Sequence, residues 1–527
     1  MKFLFGGPNN DLLIKLNFYK ILLSNRKEYM KKTKIVLLIF ISILFVRCSV
    51  QRQDQSKDKK SKEENAKLHP DLQRHEGVLV NKKVNGYNGI WYMNQPLDNE
   101  YKFKYSGGLA TYTAKHNPIA IYRKEVNKTF FCYGGTDAEN STLHHMVSYY
   151  DHETGEIPKP TLVLDKNTID AHDNPIISID KDGYIYLFST SHGTSRPSYV
   201  HRSRKPYDIK SFEVVEANKL DNGKKVPLDN FSYMQTWNVP DKGFVSFFTR
   251  YNYPADRTIC FMTSPDGKNW SEWKRIAAIK KGHYQISAVG NNVVGSAFNF
   301  HPDTKEKNGL NWRTNLYYVE SPDFGETWRA ADGTSLSLPL TSIENAGLVY
   351  DYYDEDLNVY MKDITYDNEN RPVILFITSK GFEAGPQNGP RTWRTARWNG
   401  TDWEINDITT SDNNYDMGSL YIDEKGSWRL IAPTEVGPQP YNPGGEIALW
   451  QSNDQGKSWE MVKQMTNDSP YNHTYARRPV NAHPDFYAIW ADGHGRMSSE
   501  SRLFISDKEG NVSMLPQTMK SKKVKLR

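Results

Sequence analysis

Ser321-Pro-Asp323-Phe-Gly325-Glu-Thr327-Trp328 and Ser452-Asn-Asp454-Gln-Gly456-Lys-Ser458-Trp459 spell the same octet, S-x-D-x-G-x-[ST]-W. Ser264-Pro-Asp266-Gly267-Lys-Asn-Trp270 is the same device one residue shorter. In such a string the Asp accepts hydrogen bonds from backbone N–H groups of its own turn, the Gly takes positive φ, and the Trp wedges between strands. These are turn-building roles, so the octets mark hairpins and are not expected to be catalytic. Ser264 and Ser321 open two of them 57 residues apart, a plausible length for one repeat of several strands with its loops. Divided into the roughly 440 residues from Gly77 to Pro516, that spacing gives seven to eight repeats, and we expect seven.

The text around the octets agrees. From Gly77 to Pro516 short β-rich runs alternate with Asp-Gly, Asn-Gly and Pro turns, as in Ile176-Ile-Ser-Ile-Asp-Lys-Asp-Gly-Tyr-Ile-Tyr-Leu-Phe188 and Arg371-Pro-Val-Ile-Leu-Phe-Ile377. No long segment has the 3.6-residue period of an amphipathic helix. The 32 Tyr and 13 Trp suit an all-β protein and equally suit sugar binding, where flat rings stack on pyranose faces. The octets resemble the Asp-boxes of sialidase-like propellers. The expected fold is therefore an all-β, seven-bladed β-propeller with Asp-box hairpins over residues 76–516.

The net charge of +5 is unevenly distributed. Residues 1–47 carry +7, 51–67 carry +2 and the tail 517–527 carries +5, which leaves about −9 for 68–516. An acidic body argues against sequence-independent nucleic-acid binding, so an anionic ligand needs a local cluster of cations. Met30-Lys-Lys-Thr-Lys34 followed by the apolar run Ile35–Val46 has the charge and length of a signal peptide, with Met30 as the expected true start. Cys48 after that run resembles a bacterial lipoprotein cleavage site, and Gln51–Lys67 reads as a flexible polar tether within 48–75. The expected product is an exported monomer, lipid-anchored at Cys48 in the outer membrane or periplasm, or at the cell surface. Only Cys132 and Cys260 remain beyond Cys48, and sequence leaves open whether they pair.

Propeller chemistry belongs where inner strands and their loops open at one end of the channel. His172, in Asp170-Ala-His-Asp-Asn-Pro175, and His192, in Ser189-Thr-Ser-His-Gly193, flank two alternating runs joined at the Asp180–Gly183 turn. An up-and-down pair returns the chain to the same end, so both histidines are expected in one cleft. Tyr233 and Arg250 likewise flank a strand–turn–strand closed at Asp241-Lys-Gly243, with Tyr251 beside Arg250. Dense polar and aromatic residues recur at His283-Tyr284, His301-Pro-Asp303 and Trp312-Arg313-Thr-Asn-Leu-Tyr317. Arg313, Tyr317, Tyr251 and Arg477 are the expected sugar contacts.

This succession, Asp-Ala-His-Asp-Asn-Pro, Asp-Gly-Tyr-Ile-Tyr, Ser-His-Gly, Tyr-x-Gln and Phe-x-x-Arg, resembles the BNR-repeat polysaccharide lyases of the ulvan-lyase type, polysaccharide lyase families twenty-four and twenty-five. The resemblance runs over most of 80–515, with its chemical motifs in 170–320. It implies catalytic His172, His192, Tyr233 and Arg250 acting by β-elimination on a uronate polymer, an anionic and sulfated partner. Arg250 would neutralise the carboxylate, and Tyr233 would take the C5 proton and return one to O4. A phenol needs neighbouring Arg and His to act as a base. No cofactor is required for that chemistry, but some relatives hold a structural zinc, which makes His283 and His301 candidate ligands. Two other readings stay open. One is a sialidase-like hydrolase, although the early Phe-Arg-Ile-Pro motif is absent and Asp170, Asp173 and Glu435 have no spacing that recommends them as a pair. The other is a glycan-binding propeller without catalysis.

Overall fold

The structure is a computed structural model that describes residues 77–526 apart from 110–114, 138–140, 194, 229–231, 253 and 308. The signal peptide, Cys48 and the tether lie outside the described residues. The chain from Gln73 onward is one compact unit. Among the described residues, seven of the nine sheets contain an antiparallel meander in chain order, paired from a first strand to a fourth, and the other two are a two-stranded sheet, Tyr92–Pro96 with Phe103–Gly107, and a three-stranded one around Asn218–Asp221.

The first meander uses Ala120–Arg123, Lys128–Gly135, His144–Asp151 and Thr161–Asp165, and the second Pro175–Ile179, Ile185–Ser189, Tyr199–Ser203 and Phe212–Val214. The third runs through Ser232–Val239, Gly243–Tyr251, Arg257–Ser264 and Lys274–Ala277, and the fourth through Gln285–Gly290, Val293–Phe300, Thr314–Ser321 and Trp328–Arg329. The fifth, sixth and seventh begin at Asn358–Tyr366, Ser419–Ile422 and Asn472–Arg477.

Neighbouring meanders pack face to face. One apolar cluster joins Phe130 and Val163 of the first to Ile177 and Leu187 of the second. The same pattern links second to third through Phe188 and Phe248, third to fourth through Phe261 and Phe298, and so on along the chain. A further cluster combines Phe131 and Met146 of the first meander with Ile489 and Leu503 of the seventh. Burial on both faces explains why these strands are nearly continuously apolar instead of alternating.

The octets sit where expected and do what their chemistry requires. Each closes the turn after a third strand. Thr327 N–H donates to Asp323 Oδ1 at 2.8 Å, Gly325 N–H to Ser321 Oγ at 2.7 Å, and Gly325 has φ of 98°. Trp328 is buried with its ring centroid 4.9 Å from that of Phe261. In an up-and-down meander, the turn after the third strand lies at the opposite end from the first strand's start. The octets are thus remote from any site built at those starts.

One feature differs from the sequence reading, and one that it left open is decided. The basic segment after Pro516 is not a separate tail: Met519 is buried and Lys523–Lys525 pairs antiparallel with Glu156–Pro158 of the first meander. Cys132 and Cys260 are both buried and free.

Candidate active site

The end where first strands start carries the polar residues. Asp170 caps the 3-10 turn Ala171–Asp173 by accepting the His172 N–H. Strand pairing of Pro175 with Ser189 then sets His172 and His192 side by side, as the hairpin argument anticipates. Their rings stack with centroids 3.9 Å apart and planes 13° from parallel. Asp170 holds both: Oδ1 lies 2.6 Å from His172 Nδ1 and Oδ2 2.9 Å from His192 Nδ1. A carboxylate is acceptor-only when ionised, so each Nδ1 carries a proton and donates it to Asp170. Burial, then the neighbouring imidazole, depresses the His172 pKa below its ordinary value against the pull of Asp170. His172 is therefore a neutral ring near pH 7.

Asp170 is itself fixed from below. Arg196 donates to Asp170 Oδ2 at 2.6 Å and takes Asp173 through Nε at 2.7 Å, with Lys166 3.4 Å from Asp173. The two imidazoles and their hydrogen bonds, working against burial, hold the Asp170 carboxyl well below the usual range. Asp170 is thus not poised as a general acid.

Tyr233 stands against this pair, its ring centroid 5.5 Å from His172 and 5.9 Å from His116. The first strand of the third meander bulges between Ser232 and Gln235, and Tyr233 has φ of 52°, a left-handed conformation uncommon for a bulky residue. Backbone strain of this kind costs of order 1–3 kcal/mol and clusters at functional sites. Tyr251 completes the wall, 5.9 Å from His192 and 6.3 Å from Tyr233. Burial pushes the Tyr251 hydroxyl up to about 12, opposed by Arg257 and by its hydrogen bond with Tyr233.

Arg250 is not part of this wall. Adjacent strand residues face opposite ways, and Arg250 lies on the Trp273 ring at 4.4 Å, on the side of buried Cys260. Arg257 takes its place. It is paired directly across from Tyr251 and lies 5.2 Å from the Tyr251 and Tyr284 rings. Arg313 joins it as expected, 4.7 Å from Tyr284 and 4.5 Å from Tyr360, and Lys115 sits 5.4 Å over Tyr284. Lys104 lies near Arg313, and burial followed by that charge pushes its ammonium down to about 8. Arg257, Arg313 and Lys104 crowd one aromatic cluster, a local group of cations of the kind an acidic body requires for an anionic ligand, while burial and then the Arg313 charge drive the Lys115 ammonium well below its ordinary value.

Three other sequence expectations fall elsewhere. Tyr317 is a core residue, stacked on Phe298 at 5.1 Å and donating to the Ile343 carbonyl. Arg477 ends its strand away from the opening, buried and donating to the His116 carbonyl at 3.3 Å. His283 and His301 do not fit a zinc site. His283 Nδ1–H donates to the Asn299 carbonyl and Nε2 accepts from Ile279 N–H, both at 2.7 Å, so no lone pair is left. His301 spends Nδ1–H on the Trp312 carbonyl and faces the charges of Arg313 and Arg257. Sequence reasoning did not single out Asp170 as the shared anchor, nor Arg196, Lys115 or Arg257. An Asp two residues before a histidine at a strand entry was the signal available for the first. Cross-strand register was the signal for Arg257.

Residues 119–411 match the model of a BNR repeat-containing family member. An ulvan lyase of Alteromonas sp. (strain LOR) is 22% identical over 443 residues, covering 75% of this chain and 84% of that protein. An ulvan lyase of Nonlabens ulvanivorans is 23% identical over 392 residues, 66% of this chain and 78% of the other. The solved structure of a PL25 ulvan lyase bound to -[GlcA(1-4)Rha3S]- superposes with a TM-score of 0.59 at 17% identity, covering 82% of this chain and 96% of that one. At that identity the structural likeness speaks for the fold.

Proposed function

The chain belongs to the BNR repeat-containing family, and from that we propose that it is a polysaccharide lyase cleaving an ulvan-like, uronate-bearing sulfated polysaccharide by β-elimination. The observation that carries the reading is the stacked imidazole pair on Asp170, facing Tyr233 beside Arg257 and Arg313.

A uronate C5 proton is weakly acidic because it lies α to a carboxylate. Cations against that carboxylate stabilise the enolate-like charge as it forms, and a planar guanidinium matches it through two parallel hydrogen bonds. Arg257 and Arg313 fill the role first expected of Arg250. A neutral imidazole with Nδ1–H locked on Asp170 is a better base near pH 7 than a phenol of reference pKa about 10. His192, with 27% of its side chain exposed against 8% for His172, is the more open of the two. In this scheme His192 Nε2 takes the C5 proton and the Tyr233 hydroxyl protonates the departing O4, leaving a C4–C5 double bond. More cations are present than one carboxylate requires, which suits a polymer that also bears sulfate, as the ligand of the solved relative does.

A hydrolase would need two carboxyl groups free to act as acid and base. Asp173 is completely buried and both Asp170 and Asp173 are committed to Arg196, so the reading as a glycosidase is weaker. We read the seven meanders as the blades of one propeller, supported by the apolar cluster shared between first and seventh. Export as a monomer anchored at Cys48 is part of the proposal and rests on the sequence alone.

The test is incubation with ulvan while following the absorbance of unsaturated uronate, for wild type and Tyr233→Phe. Loss of the single hydroxyl should leave the unfolding temperature nearly unchanged and slow elimination about 10²–10⁴-fold. A fully active Tyr233→Phe would remove Tyr233 from the chemistry, and a wild type that never generates the chromophore would remove the lyase.

A further inference from the structure

The seven first strands meet again at the end remote from His172. A cavity of about 440 Å³ there takes lining residues from every one of them. The last residues of four, Arg123, Ile179, Gly290 and Arg477, border it. His172 instead stands before Pro175, where the second meander's first strand begins, so this cavity is distinct from the candidate active site. Backbone pairing brings the ends of the first and seventh of these strands together. Tyr122 N–H donates to the Val480 carbonyl at 2.9 Å, and Val480 N–H to the Ala120 carbonyl at 2.8 Å.

The charge of this cavity is unbalanced. Arg123, Arg477 and Arg478 line it, and among the described lining residues Asp363 is the one carboxylate. Asp363 already accepts the Ile364 and Leu420 N–H groups at 2.9 and 3.0 Å, and Arg478 Nη2 stands 3.4 Å from it. Arg477 is 4% exposed and makes no ion pair among the described residues; its Nη2 donates to the His116 carbonyl at 3.3 Å. Arg123 makes none either, and spends Nη2 on the Ile179 and Asp180 carbonyls. The Nε atoms of Arg123 and Arg478 are buried without a hydrogen-bond partner. Burial pushes Arg477 down to about 10 against the pull of Asp363, so it stays charged near pH 7. Buried cations left without counter-charge are costly, and an anion between them removes that cost.

We propose that this cavity binds a small organic oxyanion, a carboxylate or sulfate group carried on a body of sugar size, with Arg123, Arg477 and Arg478 holding the charged end. Guanidinium groups suit planar or multi-oxygen anions because their N–H donors are arranged as a fork. Low-dielectric walls around like charges focus the field into the cavity. Its volume lies within the roughly 300–1,000 Å³ of small-molecule sites, more than a bare inorganic anion fills. Trp237 and Val289 supply an apolar side for the body of the ligand. The indole N–H of Trp237 is already donated to Ser287 Oγ at 2.9 Å, so the ring offers hydrocarbon surface there. The site goes beyond the lyase reading and does not rest on it, since its test reads binding and not cleavage.

The experiment is calorimetric titration of the full chain with glucuronate, glucose 6-sulfate and, as the uncharged control, glucose. Wild type should bind one equivalent of an acidic sugar in this cavity and should not bind glucose. The tighter of the two acids identifies carboxylate or sulfate as the group held. Arg123→Gln and Arg478→Gln, at partly exposed positions, should keep the far-ultraviolet circular dichroism of wild type and weaken that equivalent roughly 10–100-fold. Arg257→Gln removes a cation of the candidate active site and should leave this equivalent intact. The proposal is overturned if neither acid binds, if glucose binds as well as the acids, or if both Arg123→Gln and Arg478→Gln bind like wild type.

Discussion

His172 and His192 stack at 3.9 Å and hang from opposite oxygens of one carboxylate, Asp170. Neither ring is oriented independently of the other. Replacing either by Gln removes a donor to Asp170 and frees the remaining ring to rotate. Each single variant should lose about 10²–10⁴-fold in kcat, and the double variant should be little worse than the poorer single, because groups acting as a unit are not additive. Double-mutant kinetics on a uronate polymer measures this. Losses that multiply would mean two independent roles.

Arg257 and Arg250 provide a paired comparison. Arg257→Lys keeps the charge but loses the planar fork beside Tyr251 and Tyr284, and should reduce kcat/KM roughly 10²-fold. Arg250→Lys disturbs only the contact with Trp273 and should stay within about twofold of wild type. Steady-state rates on one substrate preparation decide the matter, and the reverse order would return Arg250 to the site.

Several histidines are buried in neutral form. Burial lowers His116 and His473 to about 3 and His201 and His283 to about 4, and His145, His172 and His301 shift the same way. Below the ordinary value of 6.5 the unfolded chain takes up these protons and the native chain does not, so stability is lost as pH falls. Burial raises Asp412 to about 6 and Asp416 to about 8 and lifts Asp180 and Asp492 as well, which works the other way, but the lowered histidines outnumber these carboxyls. Urea midpoints should therefore fall between about pH 6.5 and 5. A flat profile there would contradict the buried neutral rings.

How far the sequence could be read follows from the range of each signal. The octets were legible because eight contiguous residues contain their whole hydrogen-bond pattern. His172 and His192 were legible because one hairpin turn determines that both ends meet. Arg250 was misplaced because a single step along the strand separates it from Tyr251, and the bulge at Ser232–Gln235 hides which residue faces the opening. Tyr317 was misplaced because Thr314–Ser321 is buried on both faces, so that side-chain polarity gives no direction there. Lys523–Lys525 resembled a solvated tail since its partner strand, Glu156–Pro158, lies more than 360 residues earlier in the chain. The spacing of Asp170 before His172 signals one of its contacts, but that it also takes His192 Nδ1 is visible only in the structure.

The central claim is elimination, and the most direct measurement is the mass of the products formed from ulvan in ¹⁸O-labelled water. The account predicts fragments lighter by one water than hydrolysis would give, with an unsaturated uronate end and no ¹⁸O incorporated during cleavage. Saturated fragments carrying one ¹⁸O from the cleavage step would contradict it.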